Sequence, residues 1–183
     1  MDARIQQMLC KLKKKDISTY EHSVRVADLV QKYSMATNLG SEMTQRLIFC
    51  AALHDLGKLL LPKHILKKAG PLTDSEWKTV KEHPCFSSEL IRRTFGRELV
   101  WESYIVMAHH ERMDGHGYPA GLNGKEIPLE SRIIAAADAI DVMTHGREYQ
   151  KAMSADECRC EVLKCSGTQF DPKVAAVFVY DIL

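Results

Sequence analysis

The chain has 183 residues, 45% of them hydrophobic and 27% charged, with a formal net charge of +1. These values suit one globular domain with a sizeable core and exclude a single-sign field for binding bulk nucleic acid. It has no apolar run of about 20 residues and no signal-peptide pattern, so no membrane segment is expected and the expected location is cytoplasmic.

Ile5, Met8, Leu9 and Leu12 recur at helical spacing and predict an amphipathic helix over residues 2–15. Lys11, Lys13, Lys14 and Lys15 form its solvated basic end. Ser18 or Thr19 is the expected cap of the next helix, which runs to about Thr37. Its apolar face carries Val26, Leu29, Val30 and Tyr33, and His22 shares that face. By itself, an inward histidine of this kind reads as a core residue. Asn38-Leu39-Gly40-Ser41 is a helix stop followed by a new cap. The apolar run Leu47-Ile48-Phe49-Cys50-Ala51-Ala52 then leads into Leu53-His54-Asp55-Leu56-Gly57-Lys58. This predicts a buried helix that delivers His54 and Asp55 side by side, with Gly57 as terminator. A buried carboxylate at such an end needs a compensating charge.

Leu59-Leu60-Leu61-Pro62 predicts an apolar connection into a turn near residues 64–67, and Ala69-Gly70-Pro71 a loop. Thr73-Asp74-Ser75-Glu76 is a capping box. Its helix carries Trp77 and Val80 and is expected to end at His83, because Pro84 disfavours helical geometry at the residue before it. Further helices are expected over residues 86–94 and 98–108. A dense polar stretch follows, from His109-His110-Glu111 through Asp114-Gly115-His116-Gly117-Tyr118-Pro119, and its glycines and proline predict a tight loop. Residues 120–129 continue as loop, with Asn123-Gly124 as a turn. Residues 133–143 are almost wholly apolar apart from Asp138 and Asp141, which share one helical face. Carboxylates so placed raise each other's pKa unless a cation or a histidine neutralises them. Arg147 lies in a short polar connection, and two helices over residues 154–165 and 171–181 close the chain, with Pro172 opening the last. The six cysteines, Cys10, Cys50, Cys85, Cys158, Cys160 and Cys165, form no compact framework and read as free thiols. With no strand alternation and no repeat, the fold class is all-α.

His22, His54, Asp55, His83, His109, His110 and Asp138 thus stand at helix ends or on apolar faces. Imidazole suits iron, zinc, nickel and copper, and carboxylate suits manganese and similar hard ions. So many nitrogen and oxygen donors exceed one open catalytic metal and match two ions bridged by a carboxylate. Two ions about 3.5–4 Å apart suit phosphoester hydrolysis, with a shared water as the nucleophile. Lys58 would be a cation directed at the phosphate.

His54-Asp55, with His22 before it and Asp138 after it, resembles the HD phosphohydrolase superfamily. His109-His110-Glu111, Asp114-Gly115, Gly117-Tyr118-Pro119, Gly121-Leu122 and Ile127-Pro128 resemble its HD-GYP branch. Glu82-His83-Pro84 and Gly167-Thr168-Gln169-Phe170-Asp171-Pro172 extend the likeness, which runs from Thr19 to Pro172. The resemblance implies an all-α HD-domain helical bundle with a metal site at its centre and the GYP loop at its mouth. It implies a single HD-GYP domain over residues 1–183, with residues 1–16 as a helical extension and no separate sensory domain. The implied activity is metal-dependent hydrolysis of cyclic di-GMP to linear pGpG by a metal-bridging hydroxide, with onward cleavage to GMP as the slower step.

Carried over, His22, His54, Asp55 and Asp138 would hold one metal, and Asp55 would bridge to a second held by His83, His109 and His110. The ions would be iron or manganese. Asp55 and Lys58 would form the catalytic pair, and Lys58, Tyr118 and Arg147 would contact the nucleotide. Asp141 would orient a ligand. Ser18 stands where some members have a metal-binding glutamate, so two ions are expected rather than three. Arg147-Glu148-Tyr149-Gln150 departs from the family's Arg-Pro-Tyr-Arg, and Lys151 is the expected substitute cation. His116 replaces a small residue between the loop glycines. The alternatives are hydrolysis of another cyclic dinucleotide, or a nucleotide-binding signalling module with weak turnover. The expected partners are the cyclic dinucleotide and signalling proteins.

Overall fold

The computed structural model describes residues 3–146 and 151–183. The N-terminal arm is α1, Ala3–Lys15, followed by α2, Ile17–Ala36. Asp16 joins them and caps α2 by accepting hydrogen bonds from Thr19 N and Thr19 Oγ1. The cap is therefore Asp16, not Ser18 or Thr19: a shared carboxylate satisfies both the backbone and the hydroxyl donor. α3, Ser41–Leu53, starts at the serine with Gly40 before it, so Ser41 is the first helical residue and not the cap.

After α3 the chain tightens into a 3-10 turn, Leu56–Leu60, and a short α4, Lys63–Leu66. The expected capping box opens α5, Asp74–Val80, with Thr73 and Glu76 bonded reciprocally. That helix stops at Val80, and α6 runs His83–Phe95. His83 therefore begins a helix where the sequence predicted an end. Pro84 sits in the first turn, where its missing N–H costs nothing. α7, Val100–Met107, follows a 3-10 turn at Gly96–Leu99, and α8 is Leu129–His145. α9 is Ala155–Lys164 and α10 is Pro172–Val177, which widens into a π turn at Phe178–Ile182.

Among the described residues there is no named strand, only isolated bridges pairing Asp114 with Asn123 and Ser166 with Phe170. α2 packs on α3 and α8, while α6 packs on the turn after α3 and on α7. Val26 and Val30 of α2, Leu47 and Leu53 of α3, Ile91 of α6, Ile105 of α7 and Ile133 and Ile140 of α8 share one core. Each such side chain contributes about 1.5–3 kcal/mol when fully buried. Helix ends and the inward faces of α2 and α8 converge on one polar spot, and that convergence positions the site. The cysteines are free.

Candidate metal centre

Five segments deliver side chains to that spot. α2 presents His22, the turn after α3 presents His54 and Asp55, and the start of α6 presents His83. His109 and His110 follow α7, and α8 presents Asp138. Two triads could each hold a metal ion, His22 with His54 and Asp55, and His83 with His109 and His110. Within each, the ligand atoms lie within 4.8 Å of one another. Asp55, a member of the first triad, also reaches the second. Its Oδ2 is 3.7 Å from His22 Nε2 and 3.5 Å from His54 Nε2, while its Oδ1 is 3.2 Å from His83 Nε2. Asp138 Oδ1 is 3.0 Å from His22 Nε2, and its Oδ2 is 3.9 Å from His110 Nδ1.

The hydrogen bonds fix the imidazole tautomers. His54 Nδ1 donates to Ala51 O at 2.6 Å, His83 Nδ1 to Val80 O at 2.7 Å and His109 Nδ1 to Val106 O at 2.5 Å. A carbonyl only accepts, so each Nδ1 carries a hydrogen and each ring turns its Nε2 inward. His22 Nδ1 points at Asp141 Oδ2, 2.7 Å away. Nε2 of His22 then stands 3.3 Å from Nε2 of His54, and Nε2 of His83 stands 3.3 Å from Nε2 of His109. Nitrogens set this close, with carboxylate oxygens of Asp55 and Asp138 beside them, form a compact donor cluster for a cation. The donor set therefore fits a divalent metal.

The electrostatics agree for three of the histidines, while His22 would give up a proton on binding a metal. Burial pushes His54, His109 and His110 down from the usual imidazole value, which keeps them neutral as metal ligands must be. Burial also pushes His22 down, but its bonds to Asp138 and Asp141 outweigh that and raise it to about 9. Burial would raise the Asp55 carboxyl, yet Lys58 and His54 hold it well below the usual carboxylate range.

Around these residues lies a supporting layer that the sequence did not disclose. Arg25 clamps Asp141 through Nε at 2.7 Å and Nη2 at 2.9 Å, so the carboxylate that holds His22 is itself fixed. Ser87 Oγ accepts from Gly57 N at 2.7 Å and donates to His54 O at 2.7 Å, tying the His54-Asp55 turn to α6. The buried Glu111 carboxylate accepts from Ala120 N at 2.7 Å and Leu122 N at 3.0 Å, which folds the Gly117-Tyr118-Pro119 loop back on the site. Helical spacing held part of the signal: Arg25 is three residues beyond His22, and Ser87 is four beyond His83.

Lys58 Nζ binds Asp55 Oδ2 at 2.6 Å. The Tyr118 ring lies 4.8 Å from that of His110, and Tyr118 N donates to His110 O at 3.2 Å. A cavity of about 580 Å³ opens beside His109, His110 and Asp138 and is also lined by Tyr118, Trp77 and Lys81. Exposed His116 lines it too, whereas Lys151 is exposed and does not. Arg147 and the rest of the Arg147-Glu148-Tyr149-Gln150 stretch lie outside the described residues.

The family model described as HD domain matches residues 5–174. A cyclic di-GMP phosphodiesterase of Thermotoga maritima is 33% identical over 90% of this chain and 45% of its own. A 3'3'-cGAMP-specific phosphodiesterase 1 of Vibrio cholerae is 41% identical over 76% of this chain and 32% of its own. The chain thus spans less than half the length of these curated relatives. The solved structure of Bd1817, an HDG"Y"P protein of Bdellovibrio bacteriovorus, superposes with a TM-score of 0.69 at 20% identity. It covers 90% of this chain and 52% of that one, and the likeness is one of fold.

Proposed function

The chain belongs to the HD domain family, and from that membership we propose that it is a metal-dependent phosphodiesterase hydrolysing cyclic di-GMP to linear pGpG. One observation carries the reading: main-chain carbonyls orient the His54 and His83 rings so that both turn Nε2 toward a shared Asp55, with His109 Nε2 beside that of His83. His22, His54, Asp55 and Asp138 would hold one ion, and Asp55, His83, His109 and His110 would hold a second. Iron and manganese suit this mixed donor set. Bound ions supply an acidified water and charge on the phosphoryl oxygens.

The chain's own residues do the rest. Asp55 places a carboxylate oxygen toward each triad, and Asp141 holds the His22 ring with Nε2 inward. Lys58, beside Asp55, stabilises negative charge building on the phosphate. Water adds across one P–O3′ bond: its oxygen joins phosphorus, and the 3′ oxygen leaves carrying a proton. Tyr118, stacked on His110, forms the wall against which the nucleotide lies. Arg147 and Lys151 are assigned to the nucleotide's flank. No helix among the described residues is long and apolar enough to cross a membrane, and the proposed working place is the cytoplasm, within a signalling assembly.

The test is a time course of cyclic di-GMP with protein loaded anaerobically with Fe(II) or Mn(II), products resolved by chromatography. His54→Ala and Asp55→Ala proteins run alongside. Metal-dependent pGpG that disappears in both variants supports the reading; no product from protein shown to carry two metals refutes it. A second reading, hydrolysis of hybrid 3'3'-cGAMP, is favoured by the 41% identity to the Vibrio cholerae relative. Running that dinucleotide in the same assay separates the two by relative kcat/KM.

A further inference from the structure

α5 has no buried residue. Its capping box holds it, as does Lys68 Nζ on Glu76 Oε2 at 2.5 Å. Trp77, the large aromatic of this helix, is 46% exposed and takes no part in the core. A tryptophan that leaves so much apolar surface in water calls for an explanation other than packing. Trp77 lines the cavity beside the metal-ligand cluster.

Lys81 is one helical turn beyond Trp77, so the two stand side by side. Its Nζ is 6.0 Å from the centre of the Trp77 ring and 5.4 Å from the centre of the Tyr118 ring. Tyr118 in turn lies against His110. One aromatic ring therefore links the ammonium of Lys81 to the metal-ligand cluster.

The cavity's other lysine or arginine among the described residues is Arg112, and it is neutralised by Asp114 at 2.7 Å. Lys58 is likewise paired with Asp55. Lys81 makes no ion pair among the described residues, and its contacts are the two rings. Aromatic faces orient a cation without cancelling its charge. A carboxylate partner would have cancelled it. The wall thus offers a half-exposed indole and a positive charge without an ion-pair partner among the described residues, side by side in one cavity with His109, His110 and Asp138.

A cyclic dinucleotide has two bases and two phosphodiesters, and the metal-ligand cluster engages one phosphodiester at a time. We propose that Trp77 and Lys81 form the subsite for the half of the substrate that is not being cut. The indole stacks one purine, and the Lys81 ammonium holds the second phosphodiester. This assignment rests on the phosphodiesterase reading above and adds to it where the distal half binds. Stacking on an indole tolerates either purine. The subsite therefore selects for a dinucleotide rather than for guanine.

The experiment compares Trp77→Ala, Trp77→Phe, Lys81→Met and Lys81→Arg with the wild type, all metal-loaded. Each is assayed on cyclic di-GMP and on bis(p-nitrophenyl) phosphate, which lacks both bases and the second phosphodiester. Loss of base stacking costs about tenfold or more. Trp77→Ala and Lys81→Met should therefore raise KM for cyclic di-GMP about tenfold, with a much smaller change in kcat. Their losses on cyclic di-GMP should exceed those on the small diester by a similar factor. Trp77→Phe and Lys81→Arg should recover most of the KM. An unaltered KM in Trp77→Ala and Lys81→Met overturns the assignment. Equal losses on both substrates also overturn it, because they place these residues in support of the metal site. Failure of the wild type itself to cleave cyclic di-GMP refutes the phosphodiesterase reading instead, and the assignment falls with it.

Discussion

At the scale of single residues, what distinguishes this site is where its protons are. A neutral imidazole binds a cation through one nitrogen only, and the partner of the other nitrogen decides which. Main-chain carbonyls make that choice for His54, His83 and His109. For His22 the choice falls to Asp141, which Arg25 holds from the far side. Partners that orient a ligating histidine are worth about 10–100-fold in metal affinity. Asp141→Asn keeps the shape of that side chain and removes its charge from both His22 and Arg25. Its affinity for Mn(II), measured by competition with a coloured chelator, should fall about 10–100-fold. An affinity equal to the wild type would mean that the Asp141 charge has no part in holding the ligand. The sequence showed Asp141 as one of two carboxylates on an apolar face, but periodicity reports the face and not the partner. His22 lies 119 residues away in the chain, and no local pattern records that distance.

At the scale of elements, the critical contact is between the 3-10 turn carrying Lys58 and the first turn of α6. Gly57 makes it possible. A Cβ there would lie 2.0 Å from His83 O and 2.6 Å from Ser87 N, both backbone atoms that cannot swing aside. Gly57→Ala must therefore move the turn away from α6, separating Asp55 from His83 and breaking the Ser87 bonds. The expected result is loss of most activity and a clearly lower melting temperature. Gly40→Ala, with nothing within 4 Å of its new methyl group, is the matched control and should change neither. Sequence reasoning took Gly57 for a helix terminator, because composition cannot distinguish a glycine needed for its backbone from one needed for its lack of volume. His83 was placed at the wrong end of a helix for a related reason. Proline breaks a helix ahead of it and opens one behind it with the same ring.

α10 gives a second prediction at this scale. Asp171 caps it, accepting from Lys173 N at 2.8 Å, and also takes Arg132 Nη1 at 2.6 Å. Burial would raise the Asp171 carboxyl, but its bonds to Arg132 and the backbone amides outweigh that and lower it. A carboxyl lowered on folding stabilises fully above its unfolded pKa of about 3.9. That contribution fades as pH falls through the folded value. Asp171→Asn still caps the helix but turns the charge-assisted bond from Arg132 into a neutral one, and should therefore cost about 1 kcal/mol near neutral pH. In urea titrations that deficit should shrink as pH drops below about 4. A deficit independent of pH would assign the loss to shape and not to charge.

At the scale of the whole molecule, the architecture was legible because it is built from amphipathic helices with clear punctuation. The capping box at Thr73 and the apolar runs of α3 and α8 each state an element locally. The site was legible in part, because His and Asp on apolar faces are costly enough to need a reason. The way the segments meet was not legible, since it depends on packing between residues distant in the chain. That meeting has a thermodynamic consequence. α2, α6, α8 and the segments following α3 and α7 are distant in sequence, yet two ions in the site would between them bond to all of these segments. Unfolding must then release the ions, so metal binding stabilises the fold by linkage. Free Mn(II) at a hundred times its dissociation constant adds about 2.7 kcal/mol. For a chain of this size that corresponds to a rise of roughly 5–10 °C in melting temperature. Chelation should reverse it, and His54→Ala, which removes a ligand of one ion, should show a much smaller rise. If the wild type melts at the same temperature with saturating metal and with chelator, then no ion joins these segments.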